Sequence, residues 1–159
     1  MIPYRIQEGD LPIPADWRDQ TINVFKIPGT SGARDASFII SRDPDRGMKS
    51  FDDYVAQQLK HCGTNLPRFS LKKNERLAYQ DCRGAWLEYT WQQDKVELYL
   101  RQVFYDRGPQ ILICTLTTTA DDLPAHDPAW RKVMVGMKLL PLIEKADQAP
   151  AFPPSRLPV

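Results

Sequence analysis

The chain has 159 residues, enough for one domain with a sizeable core that buries roughly 70% of the surface exposed when unfolded. Apolar residues make up 42% and charged residues 26%, the balance of a globular protein rather than a disordered one. Lysine and arginine number 21 against 20 acidic residues. A net charge of +1 supplies no bulk attraction to phosphate backbones or anionic lipid, so nucleic acid is not an expected partner.

The first residues, Met1 to Asp10, lack a cationic stretch followed by an apolar core, so no secretory signal is expected. The longest uninterrupted apolar run, Ile111 to Cys114, is far short of the ~20 residues of a membrane span. The expected location is cytoplasmic, with no membrane insertion by the chain itself. Cys62, Cys82 and Cys114 form no C-x-x-C pair and no zinc pattern, and read as buried thiols in a reducing compartment.

In chain order, Leu11 to Pro14 is extended and proline-bounded, which suits an edge strand. Thr21 to Ile27 is β-rich, with Ile22 and Val24 on one face and Asn23 and Phe25 on the other. A turn-rich loop at residues 28–32 leads into Ala36 to Ser41, so the two strands are expected to form a hairpin. Ser50 and Asp53 make a capping-box-like start to a helix. Its stripe runs Phe51, Tyr54, Val55, Gln58, Leu59, Cys62 and Leu66, with Gly63 and Pro67 bracketing its end.

Three or four long strands follow. Phe69 to Tyr79 precedes a turn at Gln80-Asp81. Ala85, Leu87, Tyr89 and Trp91 then alternate with Trp86, Glu88 and Thr90. Val96, Leu98, Leu100, Gln102 and Phe104 alternate with Glu97, Tyr99, Arg101, Val103 and Tyr105. After Gly108-Pro109 comes Ile111 to Thr119, and the short connections imply an antiparallel meander. A last helix is expected from Asp127, with Pro128 at its first position and Trp130, Val133, Met134 and Met137 on its apolar face. The fold class is α+β. One domain is expected over residues 1–143, followed by a proline-rich flexible tail over 144–159.

The residues that could carry chemistry are few. His61 adjoins Cys62, but neighbours on a helix point about 100° apart and make a poor nucleophile–base couple. His126, placed ahead of a helix cap, is expected in solvent. Asp121-Asp122 lacks the further ligands of a calcium loop, and no phosphate loop, H-E-x-x-H or G-x-S-x-G motif is present. The sequence argues against an enzyme and implies no cofactor and no metal.

Several strands, in contrast, are apolar on both faces: Val24 against Phe25, Ile39 against Phe38 and Ile40, Leu98 and Leu100 against Tyr99 and Val103. A sheet covered by a helix on each side would explain this; so would an exposed surface that binds something hydrophobic. Gln58 and Gln102 interrupt otherwise apolar rows. Their amides are either satisfied internally or turned toward a ligand.

The ordered set of segments Tyr4–Trp17, Arg18–Phe25, Ala36–Asp43, Phe51–Leu59, Leu66-Pro67, Leu100–Phe104, Leu116–Thr119 and Pro128–Trp130 resembles the Eag chaperones, within the wider DcrB-like group, over residues 3–141. Many DcrB-like proteins are exported lipoproteins; the expected lack of a signal favours the cytosolic Eag branch. The resemblance implies a PsbP-like fold, a curved antiparallel β-sheet with flanking helices, assembled as a homodimer. It further implies that the dimer clasps the N-terminal transmembrane segments of a type VI secretion effector of PAAR/Rhs type before loading on the VgrG spike, an indirect association with VgrG. On this resemblance the client-binding face comprises Ile22, Val24, Ile39, Leu66 and Leu98, with Cys62 on the same side. Gln58 and Gln102 match the glutamines that hydrogen-bond the client. The other reading left open is a general protein-binding or assembly module of the PsbP-like fold, docking a soluble partner through its loops. A third, a hydrolase, would depend on His61 or His126.

Overall fold

The computed structural model describes residues 1–30 and 32–141, so the expected tail lies outside the described residues. The described residues divide into two compact units: Thr21–Leu139, and Met1–Gln20 together with Leu140 and Pro141.

In the smaller unit, β1 (Ile2–Ile6) pairs antiparallel with β2 (Gly9–Ile13) across a tight connection, Ile6 facing Gly9. Pro3 stands opposite Pro12, which a two-stranded ladder tolerates because both strands are edges. Arg5 pairs with Asp10, and the Tyr4 hydroxyl donates to Asp19 at 2.8 Å. The extended run Leu11 to Pro14 therefore belongs largely to β2; its partner β1 has no counterpart in the sequence reading.

The larger unit is a six-stranded, wholly antiparallel sheet carrying one helix on each face. Its strands are β3 (Asn23–Ile27), β4 (Ala36–Asp43), β5 (Ser70–Tyr79), β6 (Cys82–Gln93), β7 (Val96–Asp106) and β8 (Ile111–Thr118), arranged in the order β3-β4-β8-β7-β6-β5. Strands β5 to β8 form the expected meander, and the β3–β4 hairpin adds on beside β8. Gln80 and Asp94 adopt positive φ at the two tight turns of the meander, the geometry that matches strand twist.

Helix α1 (Phe51–Asn65) lies between β4 and β5 in sequence. Ser50 Oγ accepts from the Asp53 N–H at 3.1 Å, the expected cap. The helix runs through Gly63 and ends where the Leu66 N–H reaches the Cys62 carbonyl at 2.9 Å. Its residues Phe51, Tyr54 and Val55 close a core with Ala85, Leu87, Phe104 and Ile111. Helix α2 (Leu123–Gly136) closes a second core on the opposite face, where Trp130 and Met134 meet Phe38, Val103, Tyr105, Cys114 and Leu116. The two-sided apolar strands thus follow from two helices on two faces.

Two expectations for α2 are corrected. The helix starts a turn earlier than Asp127: Asp122 is its N-cap, Pro124 occupies the first turn, and Pro128 sits inside. Pro124 satisfies the first-turn preference, because the N–H it lacks would be unpaired there anyway. His126 is consequently inside the helix and 2% exposed rather than in solvent, its Nε2 lying 2.7 Å from the Arg34 carbonyl oxygen.

Candidate functional site

Cross-strand register brings distant residues into a single row. Val24 stands opposite Ile39, Ile39 opposite Thr115, Thr115 opposite Gln102, and Gln102 opposite Leu87. Residues directly opposite share a face, so the row crosses five strands on the side that α1 packs against. Exposure falls along it from 66% at Val24 to 1% at Leu87, because α1 covers the β6–β7 end and leaves the β3–β4 end open. Here the chain leaves apolar sheet surface uncovered.

Val24, at the open end, borders a groove of about 480 Å³ whose lining also includes Phe25, Ser37, Val96, Leu98 and Thr117 and the charged Lys26, Arg34, Asp35 and Asp122, but not Ile39, Thr115 or Gln102. Val24, Ile39, Leu98 and Gln102 share one face. Ile22, exposed, precedes β3 by one residue. Gln58, Cys62 and Leu66 lie on α1 and its C-cap, all half-buried.

The two glutamines differ. The Gln102 Oε1 accepts from the Tyr89 hydroxyl at 3.1 Å, and its Nε2 donates to Thr115 Oγ1 at 3.2 Å. The Tyr89 hydroxyl in turn lies against the Cys62 thiol, which ties Cys62 to the row, and burial raises the pKa of both groups. Gln58 makes no hydrogen bond among the described residues, and its amide is not sealed from solvent. Tyr89 and Thr115 are the site residues that sequence reasoning missed. The threonine-rich end of β8 was their faint signal; the register that joins them to Gln102 has none.

A different arrangement occupies the other face. Arg101 is 4% exposed, its guanidinium 4.7 Å from the Trp130 ring centroid and 5.2 Å from that of Trp86. It pairs with Asp127 of α2 and, at 3.4 Å, with Glu88. Glu88 also accepts from Tyr99 at 2.6 Å and Trp86 at 2.7 Å. Burial alone would raise the Glu88 pKa, but these hydrogen bonds and the Arg101 charge hold it below the ordinary carboxylate value. This network pins α2 to the sheet. Beside it, Phe25, Ile27, Phe38, Ile40, Trp130 and Val133 surround a smaller apolar pocket of about 360 Å³.

The two histidines sit apart from the row. His61 is exposed and adjoins Asn65 on the next turn, while His126 clips α2 to the β3–β4 loop. Among the described residues no three metal-ligating side chains cluster. No helix among them is long and apolar enough to cross a membrane.

Comparison with known proteins places these features in a family context. The DcrB family model matches residues 8–136. The Pseudomonas aeruginosa protein named Effector EagT6 is 48% identical over 134 residues, spanning 84% of this chain and 93% of its own length. The crystal structure of PA94, a protein of unknown function from Pseudomonas aeruginosa, superposes with a TM-score of 0.82 at 47% identity, covering 89% of this chain and 98% of that one. The solution structure of CyanoP, the PsbP of Synechocystis sp. PCC 6803, gives a TM-score of 0.50 at 12% identity over 75% of this chain and 82% of its own, a likeness of fold alone.

Proposed function

The chain belongs to the DcrB family, and on that footing we propose that it is a type VI effector chaperone whose open sheet face shields the N-terminal transmembrane segments of its client. The observation that carries this reading is the uncovered end of the cross-strand row, where Val24 and Leu98 border a largely apolar groove on the sheet face that also carries Gln102. A transmembrane segment in water forfeits about 1.5–3 kcal/mol for each large side chain left unburied, so about 20 such residues create a need for a partner surface. Helices rich in small residues can approach a sheet closely, and the polar groups within the groove suit them. No nucleotide cycle is required, since binding stabilises the soluble form by mass action. In this reading Ile22, Val24, Ile39, Leu66, Leu98 and Cys62 contact the apolar client, while Gln58 and Gln102 hydrogen-bond it. The chaperone acts in the cytoplasm as a homodimer and delivers a PAAR/Rhs-type effector to VgrG.

The test is co-expression with the apolar N-terminal fragment of an effector encoded beside this chain, followed by size-exclusion chromatography with light scattering. A soluble complex with two copies of the chain per fragment is expected. A fragment that stays insoluble while the chain elutes alone would refute the reading.

A second reading, a general binding module, draws on the pocket around Ile40 and Val133 on the α2 face. Charge placed separately on the two faces distinguishes the two readings.

A further inference from the structure

A histidine inside a helix and 2% exposed needs a partner for its ring, and His126 finds one outside α2. Its Nε2 lies 2.7 Å from the Arg34 carbonyl oxygen. A carbonyl only accepts, so Nε2 carries the hydrogen and donates. Arg34 lies just before β4, where the ladder to β8 has not yet begun; its first rung is Ser37 opposite Thr117. A second link to α2 is the ion pair of Arg34 with Asp122 at 3.4 Å, but the arginine side chain is 69% exposed and such a pair is weak. The buried bond to His126 is the stronger anchor of this backbone.

What His126 holds reaches the groove. Asp35 follows Arg34, and its carboxylate accepts from the Gly29 N–H at 2.8 Å and pairs with Lys26 at 3.4 Å. The end of β3 is thereby stitched to Asp35. Gly29 packs so closely here that a side chain in its place would collide with the Ala33 carbonyl. Val24, Lys26, Arg34 and Asp35 line the groove, whereas His126 does not. A shift of Arg34 would therefore carry this wall of the groove with it, relative to Val96 and Leu98 of β7.

We infer that His126 is a positioning residue for client binding: its buried bond to the Arg34 carbonyl fixes Arg34 and Asp35, and through them the end of β3 and the spacing of the groove walls. The helix that closes one core thus also sets the shape of the surface that the client meets. The inference rests on the chaperone reading and deepens it, because it names a residue that controls the groove without touching its occupant.

The test uses the full chain and a fluorescein-labelled, lysine-flanked Leu/Ala helix peptide of about 20 residues, titrated by fluorescence anisotropy. Two amide substitutions separate the bond from the bulk of the ring. The glutamine amide nitrogen stands as far from the backbone as Nε2 and can still donate to Arg34; that of asparagine stands only as far as Nδ1 and cannot. His126→Gln is expected to bind within about twofold of wild type, and His126→Asn about tenfold more weakly, as follows if the held arrangement falls to about a tenth of the population. Asp35→Ala removes the stitch through which the bond acts, so in that background His126→Asn should weaken binding by no more than about twofold further.

Equal affinities of the Gln and Asn variants overturn the inference. So does a loss on His126→Asn that persists undiminished beside Asp35→Ala, since packing alone would give that result. Circular-dichroism melts establish that each variant is folded at the titration temperature, and His126→Leu, expected to behave as His126→Asn, replaces it if it is not. Nitrogen-15 spectra of wild type supply a reading that needs no substitution: the hydrogen on Nε2 of His126 is expected, and an Nδ1–H tautomer overturns the inference. Should wild type not bind the peptide, the chaperone reading fails and takes the inference with it. A wild type that binds, beside an Asn variant that binds equally well, sinks the inference alone.

Discussion

Val24 on β3 and Val133 on α2 are comparably exposed at 66% and 55%. Phe25 lines both apolar cavities, whereas Val24 borders only the larger groove and Val133 only the smaller pocket. A glutamate at one and then the other asks which face binds. Val24 keeps only about a third of its side chain from water. Full burial of a valine is worth at least about 1.5 kcal/mol, so Val24→Glu should cost the fold only about 0.5–1 kcal/mol and lower Tm by a few degrees. Inside a complex the same carboxylate would be buried without a partner. That costs several kcal/mol even after relaxation, so capture of an apolar helix should fall by 100-fold or more. Val133→Glu, on α2 beside the smaller pocket only, should cost the fold as little as Val24→Glu yet leave capture largely intact. The assay pairs thermal melts with recovery of the co-expressed effector fragment. Loss of capture by Val133→Glu but not by Val24→Glu would refute the groove and favour the pocket on the α2 face.

Other expectations follow from the buried polar groups. Arg101→Leu strands Glu88 in the interior and should destabilise by about 3–5 kcal/mol, read as a large fall in the urea midpoint, whereas a neutral result would mean that the network contributes little. The Glu88 pKa is depressed in the folded state, so its stabilisation is complete above the unfolded value near 4.3 and is lost as pH falls through the folded one. Melts from pH 7 to 3 should show an acid limb that Glu88→Gln flattens, and an unchanged limb would contradict the assignment. Burial raises all three thiol pKa values, Cys114 to about 12, so the native protein at pH 8 should react slowly with Ellman's reagent, half-buried Cys62 first. Cys114 reacting as fast as in guanidinium would count against its burial.

What the sequence disclosed follows from which signals are local. The meander was legible because Ala85 to Trp91 and Val96 to Tyr105 alternate with period two, and the α1 cap was legible because Ser50 and Asp53 are three residues apart. Helix α2 was misplaced because either proline could mark a first turn, and only packing selects Pro124 over Pro128. His126 was misjudged for a related reason: its partner, the Arg34 carbonyl, is 92 residues away. Gln102 stood out as polar among apolar neighbours, but nothing near it in sequence indicates Tyr89 or Thr115, each 13 residues distant and joined to it only by register. Residue types were visible; the pairing that gives them roles was not.

Folding and binding draw on the same row of side chains without competing for the same residues. At the β6 end, Leu87 is sealed by α1, and its burial contributes to the fold. At the β3 end, Val24 contributes little to the fold, so its apolar surface is available to a ligand. Had α1 extended over the whole face, the sheet would be covered and nothing left to bind; had it covered none, Leu87 and Phe104 would be stranded in water. The hydrogen-bonded trio of Tyr89, Gln102 and Thr115 spans the boundary between these regimes, with one member buried and two half-buried. A polar group placed there is anchored on the side that folding buries and partly open to solvent on the other. That position separates it from a core glutamine satisfied on all sides and from a surface glutamine held by nothing.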